Sequence, residues 1–195
     1  MLISRIKHIL IHPATTWEHL NKESRSVKTV NRSFLVPVLI LVSLSAFTGS
    51  LIYNPGGLSV LYPLTRAVKH FACFYLTIIV SSWILNEISA VLIKTRDYPF
   101  NFRLVTYSMS PLFTTVFITR LIPELALINI LGLYGAYILF CGLNTIENIK
   151  KKDLIRFFIV ALFIILVLYF SISWISRTLL ESVYFAFANN ILNGQ

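Results

Sequence analysis

The sequence predicts an all-α fold, a polytopic membrane protein built as a bundle of five transmembrane helices with a short amphipathic N-terminal helix. Three observations carry this expectation. Of 195 residues, 56% are hydrophobic and 13% charged, with a mean hydropathy of +0.76; a soluble domain of this size needs a larger charged surface. The apolar residues fall in blocks near the roughly 20 residues that cross a hydrocarbon core. Lysine and arginine gather at the ends of those blocks, thirteen on one side and four on the other.

Taken in order, residues 1–33 form a cytoplasmic amphipathic or interfacial segment. Ile6, Ile9 and Leu10 share a helical face with Leu2 and Ile3, opposite Ser4, Arg5, His8 and His12, the pattern of a helix lying at a membrane surface. Thr15 and Glu18 have capping-box spacing, which predicts a second short helix with Trp17 near the interface. The transmembrane domain, residues 34–176, has spans expected at about 34–53, 71–93, 104–121, 125–143 and 154–176. Asn54-Pro55-Gly56-Gly57 closes the first, Lys94 and Arg96 the second, and the short Ile122-Pro123-Glu124 connection makes a hairpin of the third and fourth. Spans three and four sit at the lower limit of spanning length, so either re-entrant or tilted elements are the alternative. The extracytoplasmic segment 177–195 either continues the last helix or lies along the outer surface, with Leu179, Leu180, Val183, Tyr184, Phe187 and Ile191 as its apolar residues.

The charge asymmetry places the N-terminus in the cytoplasm and the C-terminus outside, which needs an odd number of spans. The net charge of +9 does not suggest nucleic acid, because the cations flank apolar blocks instead of forming a continuous basic face. Cys73 and Cys141 lie inside apolar blocks and read as small hydrophobes. A cleavable signal peptide is not expected, since Arg5, Lys7, His8, His12 and Pro13 interrupt the first apolar stretch.

Three pieces of the chain carry a family resemblance: HPATTW at 12–17, FLVPVLILVSLSAFTG at 34–49, and YSMSPLFTTVFITRLIPELALINILGLYGAYILFCGL at 107–143. In order and spacing they resemble the bacterial branch of the Yip-one family, the Ypt/Rab-interacting membrane proteins. The resemblance implies a five-span bundle with a cytoplasmic N-terminus in a bacterial inner membrane. Eukaryotic relatives act in vesicle traffic and contact Rab-type GTPases. The Asp-Leu-Tyr-Gly-Pro signature and longer cytoplasmic domain of those relatives are missing from this sequence, so Rab binding is not carried over.

Few residues offer chemistry. His8 and His12 stand at i, i+4 but have no third ligand nearby, so no metal or other cofactor is expected. No phosphate loop, nucleophile elbow or carboxylate pair is present, and the protein is expected not to be an enzyme. Glu87 lies about 10 Å of helix inside the charged end of span two, where an ionisable group is costly. Ser82, Asn86 and Ser89 form a polar stripe on the same helix. Either Asn86 and Glu87 line a polar cavity with Tyr107 and Thr114 of span three, or Glu87 pairs with Arg103 or the Lys150–Lys152 cluster and the stripe bonds helices together. Pro111 should kink span three by removing the partner of the Tyr107 carbonyl, with nearby hydroxyls satisfying it. Pro123 marks the next turn. Gly132, Gly135 and Ala136 give small-residue spacing for close helix approach.

These features suggest a non-enzymatic organiser of membrane proteins or lipids. Arg5, Lys7, Lys150, Lys151 and Lys152 would contact anionic headgroups, and a membrane protein or a second copy would be a further partner. The alternative is a small transporter, channel or lipid-translocating protein using the region around Glu87. Reporter fusions check the topology: a C-terminal reporter is expected outside, and a cytoplasmic signal there overturns the five-span count.

Overall fold

The computed structural model describes residues 2–23, 25–53, 60–94, 96–146 and 149–193. The turn expected at Asn54-Pro55-Gly56-Gly57 lies outside them, as do the side chains of Leu2, Ile3, Leu180, Val183, Tyr184, Phe187 and Ile191. The described residues are helical, without strands. They form α1 (Leu2–Ile11), α2 (Pro13–Glu23) and α3 (Val27–Val30), which runs through a π turn (Asn31–Leu35) into α4 (Val36–Tyr53). Then follow α5 (Leu61–Leu92), α6 (Tyr98–Ser108), α7 (Ser110–Leu121), a 3-10 helix (Pro123–Leu133), α8 (Tyr134–Leu143) and α9 (Lys151–Asn193).

Among the described residues four helical runs are long and apolar enough to cross a bilayer: Val27–Tyr53, Leu61–Leu92, Pro123–Leu143 and Lys151–Leu179. The expected third span is not one of them, because it is broken in two. Pro111 has no N–H for the Tyr107 carbonyl and its ring crowds that oxygen; α6 ends in a turn at Met109, still right-handed with φ −82° and ψ −2°, and α7 starts at Ser110. At 1.5 Å per residue, α6 and α7 are about 16 and 18 Å long, each well short of the hydrocarbon thickness. The neighbouring hydroxyls turn to other carbonyls: Ser108 donates to Val105 and Thr114 to Ser110.

The other spans begin earlier than expected. The first starts at Val27, and its π turn lets the Val36 N–H reach the Asn31 carbonyl five residues back, just before Pro37. The second starts at Leu61 instead of near 71, because Arg66, Lys69 and His70 sit within the helix and do not mark its end. The fourth opens as an exposed 3-10 helix that leaves helical geometry at Leu125. The last runs unbroken to Asn193, so residues 177–193 continue it; its 43 residues are about 64 Å long.

The N-terminal helices depart most from expectation. Ile6, Ile9 and Leu10 do share a face, but that face packs on protein, and Ile9, Pro13, Trp17 and Leu20 are buried in the bundle. No capping box forms at Thr15: α2 begins at Pro13, whose fixed φ suits a first helical position, and the Thr15 hydroxyl donates to the His12 carbonyl.

Helix α6 sits at the centre. Residues 100–111 are buried without exception, chiefly against α5 and α8. Helix α5 packs between α4 and α9, and α7 lies on α4 and the 3-10 helix. Phe74 of α5 joins the layers, edge-on to Phe113 at 5.2 Å and stacked on Tyr169 at 5.5 Å. Large apolar side chains such as Leu44, Trp83, Leu127, Phe163 and Trp174 point outward, the inside-out arrangement a lipid solvent permits.

Two glycines set the closest approaches. A methyl group on Gly49 would collide with the Arg120 carbonyl, and one on Gly135 with the Ser108 carbonyl at the helix break. Gly49→Ala and Gly135→Ala should each destabilise the bundle by about 1–3 kcal/mol, read as a lower melting midpoint in detergent. Leu127→Ala, at an 80% exposed position, should leave the midpoint unchanged. Equal midpoints for all three variants would show that the helices have room to separate.

Candidate functional site at helix α6

Asp97 starts α6 by accepting the Phe100 N–H at 2.9 Å, with Pro99 in the first turn. The helix then carries Asn101, Arg103, Thr106, Tyr107 and Ser108 into the interior, each 5% exposed or less, and Ser110 follows the break. Helix α5 presents Ser82, Asn86 and Ser89 as a buried stripe. Asn101 joins the two helices, its Nδ2 donating to Ser89 Oγ at 3.2 Å and to the Asp97 carbonyl at 3.0 Å.

The N-terminal segment closes the site. Trp17 Nε1 donates to the Ile138 carbonyl at 3.0 Å, and its ring meets the edge of Tyr107 at 5.8 Å; Tyr107 in turn meets Phe34 at 5.0 Å. A methyl on Gly142 would collide with the Trp17 ring, so this glycine makes the slot that Trp17 fills. Asn21 donates to Thr145 Oγ1 at 2.9 Å, holding α2 along the end of α8. Arg103 Nη1 donates to the Arg25 carbonyl at 3.1 Å. The Arg25 guanidinium, 2.6 Å from Glu23, holds that carboxyl below its ordinary value.

Tyr107 thus lies within electrostatic reach of Arg5, Arg25, Arg103 and Glu23. Among the described residues, Asn86 Oδ1, Asn101 Oδ1, Arg103 Nε, Thr106 Oγ1, Tyr107 OH and Ser110 Oγ are buried and have no hydrogen-bond partner. Ion pairs among the described residues join Glu23 to Arg25, Glu87 to Arg96 and Asp153 to Arg156, so Arg103 carries its charge inward outside any of them. The group can hydrogen-bond a polar molecule, but it contains no carboxylate to act as a base.

Glu87 is not part of it. Consecutive helical residues point about 100° apart, so with Asn86 facing inward Glu87 faces out. It is exposed, and both its oxygens accept from Arg96 Nη2 at 2.5 Å, not from Arg103 or the lysine cluster. Thr114 is half-buried on α7, its proton on the Ser110 carbonyl. Pro111 is buried at the break, while Pro123 is exposed at the start of the 3-10 helix. Gly132 touches the Leu112 side chain, and Ala136 is half-buried beside it. Lys7, Lys150, Lys151 and Lys152 are exposed, and Arg5 is half-buried. His8 donates from Nδ1 to the Ser4 carbonyl at 2.7 Å. No group of three potential metal ligands occurs among the described residues. Trp17, Asn101 and Arg103 are the site residues that sequence reasoning missed; the signal for the last two was Asp97-Tyr98-Pro99, a cap followed by a first-turn proline.

Comparison with known proteins adds one finding. A family model described as the Yip1 domain matches residues 7–175. Neither the curated proteins nor the solved structures gave a match.

Replacing Trp17 tests the closure. Trp17→Ala removes a fully buried ring, a change that costs about 3–5 kcal/mol in protein cores, and should release α1 and α2 so that protease cuts rapidly at Lys22 or Arg25. Trp17→Phe loses mainly one hydrogen bond, about 1 kcal/mol, and should cut nearly as slowly as the parent. A parental cutting rate for Trp17→Ala would mean that other contacts hold the segment.

Proposed function

Because the chain belongs to the Yip1 domain family, we propose that this multi-pass membrane protein is a non-enzymatic organiser of membrane proteins or lipids, acting through its helix faces and a basic cytoplasmic edge. The observation that carries the reading is the docking of α1 and α2 by Trp17. Docking leaves Lys7, Lys22, Lys28 and Arg32 exposed on folded helices at the end of the bundle where Lys150, Lys151 and Lys152 are also exposed. Each cation near an anionic membrane surface contributes about 1 kcal/mol of attraction, so the edge would gather anionic headgroups or the acidic surface of a partner. A second copy of the chain is the other candidate partner.

In this reading α6 and α7 together, Tyr98–Leu121, make a fifth, broken crossing between the second and fourth. The N-terminus is then cytoplasmic and the C-terminus extracytoplasmic, in keeping with the thirteen-to-four distribution of cations. A bacterial inner membrane is the proposed location.

One observation favours a second reading, a small transporter or lipid-translocating protein: the broken helix carries buried polar atoms that lack partners. The outward position of Glu87 weakens it, since among the described residues no carboxylate joins those atoms inside to carry a proton or cation.

Gentle purification followed by mass spectrometry of bound proteins and lipids separates the two. The organiser is expected to retain anionic lipid or a partner, and to lose it when Lys150, Lys151 and Lys152 are changed to Gln. Proteoliposomes should show no ion, solute or lipid flux, and Glu87→Gln should assemble normally. A flux that disappears in Tyr107→Phe while assembly stays intact would overturn the organiser reading.

A further inference from the structure

At the end of the bundle away from α1 and α2, two arginines face a common space. Arg66 of α5 and Arg120 in the last turn of α7 line a cavity of about 340 Å³, completed by the last turns of α4 with Gly49, Ser50 and Tyr53. Arg66 lies over the ring of Tyr62, 5.7 Å from its centroid. Arg120 Nε is buried without a hydrogen-bond partner among the described residues. Neither guanidinium belongs to an ion pair among those residues. The charges of Arg120 and Arg66, with that of Lys69, converge on His70. Two of the local hydroxyls are directed to protein acceptors, Ser50 to the Ala46 carbonyl at 2.6 Å and Thr119 to Asn129 Oδ1 at 3.3 Å.

Burying cations together without a counter-charge is unfavourable, and a guanidinium pairs best with the two oxygens of a phosphate or carboxylate. The cavity is also held to shape. The contact of Gly49 with the Arg120 carbonyl pins the last turn of α7 to α4, so Arg120 is fixed in place. The same helices α4 and α5 enclose a groove of about 390 Å³ lined, apart from Ser43, by hydrocarbon side chains that include Leu44, Phe47, Leu64 and Val68. Leu64 and Val68 stand two residues either side of Arg66 and so point about 160° around α5 from it, onto the other face of the pair. Cationic pocket and apolar groove therefore lie on different faces of one helix pair, and each is bordered by apolar surface that lipid can cover.

We infer that the Arg66–Arg120 cavity binds a phosphate-type oxyanion, supplied by the headgroup of a phospholipid. This site lies at the opposite end from the basic edge and does not depend on the organising role.

The test uses the full-length chain in detergent, with three probes: phosphatidylglycerol, a neutral glycolipid of the same chain length that lacks phosphate, and inorganic phosphate. Native mass spectrometry reads bound lipid, and thermal melting reads protection. Phosphatidylglycerol should bind and raise the melting temperature by several degrees, and the glycolipid and inorganic phosphate should do neither. Arg66→Gln should weaken binding at least fivefold, and Arg66→Gln with Arg120→Gln should abolish it. Leu127→Ala, at an exposed position that lines neither this cavity nor the basic edge, should bind as the parent does. Should the double variant fail to fold, Arg66→Gln alone decides, because its half-buried side chain lies over the Tyr62 ring and joins no ion pair among the described residues. Equal phosphatidylglycerol binding by Arg66→Gln and the parent overturns the pocket. Protection by inorganic phosphate without lipid binding overturns the lipid assignment.

Discussion

A polar side chain in hydrocarbon has no water to turn to, and each buried donor or acceptor left unmatched costs free energy. Helix α6 concentrates this problem. Asn101, Arg103, Thr106, Tyr107 and Ser108 occupy two turns and point in several directions, so no single neighbouring helix can cover them. The fold answers by surrounding α6: α5 brings a stripe of small polar residues, α8 brings a glycine-rich face, and α2 closes the remaining gap with Trp17. The helix break adds to the need for cover, because the turn at Met109 and Pro111 exposes backbone that only protein can shield. Residues 100–111 are accordingly all buried, while the 3-10 helix that follows, which is almost wholly apolar, has no buried residue.

That arrangement gives the N-terminal segment a second role. An amphipathic helix at a membrane surface rides on lipid, and its basic face moves with it. Here the apolar face belongs to the core, so the exposed lysines of α2 and α3 keep a fixed geometry relative to those of α9. Under the proposed organising role, a basic edge of fixed shape would distinguish partners by the spacing of their charges, which a floating helix cannot do. The two ends of the bundle also differ in kind, with exposed lysines at one and half-buried arginines around a cavity at the other.

Much of the fold was legible in the sequence because hydropathy reports transfer energy directly. The long apolar blocks, the proline break and the polar stripe at Ser82, Asn86 and Ser89 all follow from local spacing. What failed to show were facts about partners. An apolar helical face looks the same whether it meets lipid or protein, so Ile9 and Trp17 read as interfacial when they are core. Arg103 sits near a loop and read as a partner for Glu87, yet the Arg25 carbonyl covers it from seventy-eight residues away. Of the candidate polar site, Asn86 and Tyr107 were visible as polar residues within apolar blocks. Glu87 was misplaced although the same periodicity that turns Asn86 inward turns its neighbour out. The start of α5 was read too late because cations were taken as helix ends, whereas long basic side chains can extend from within a helix toward polar surroundings.

The anchoring of Trp17 also orders events in time. Its acceptor, the Ile138 carbonyl, lies 121 residues further along the chain, and Gly142, which makes the slot, comes later still. At about 5–20 residues per second, roughly 6–25 s of synthesis separate the ring from its acceptor. Over that interval α1 and α2 have left the ribosome with an apolar stripe and no protein to receive it. The lipid surface or a chaperone must hold them meanwhile. A segment synthesised well before its acceptor is therefore among the last to reach its final position.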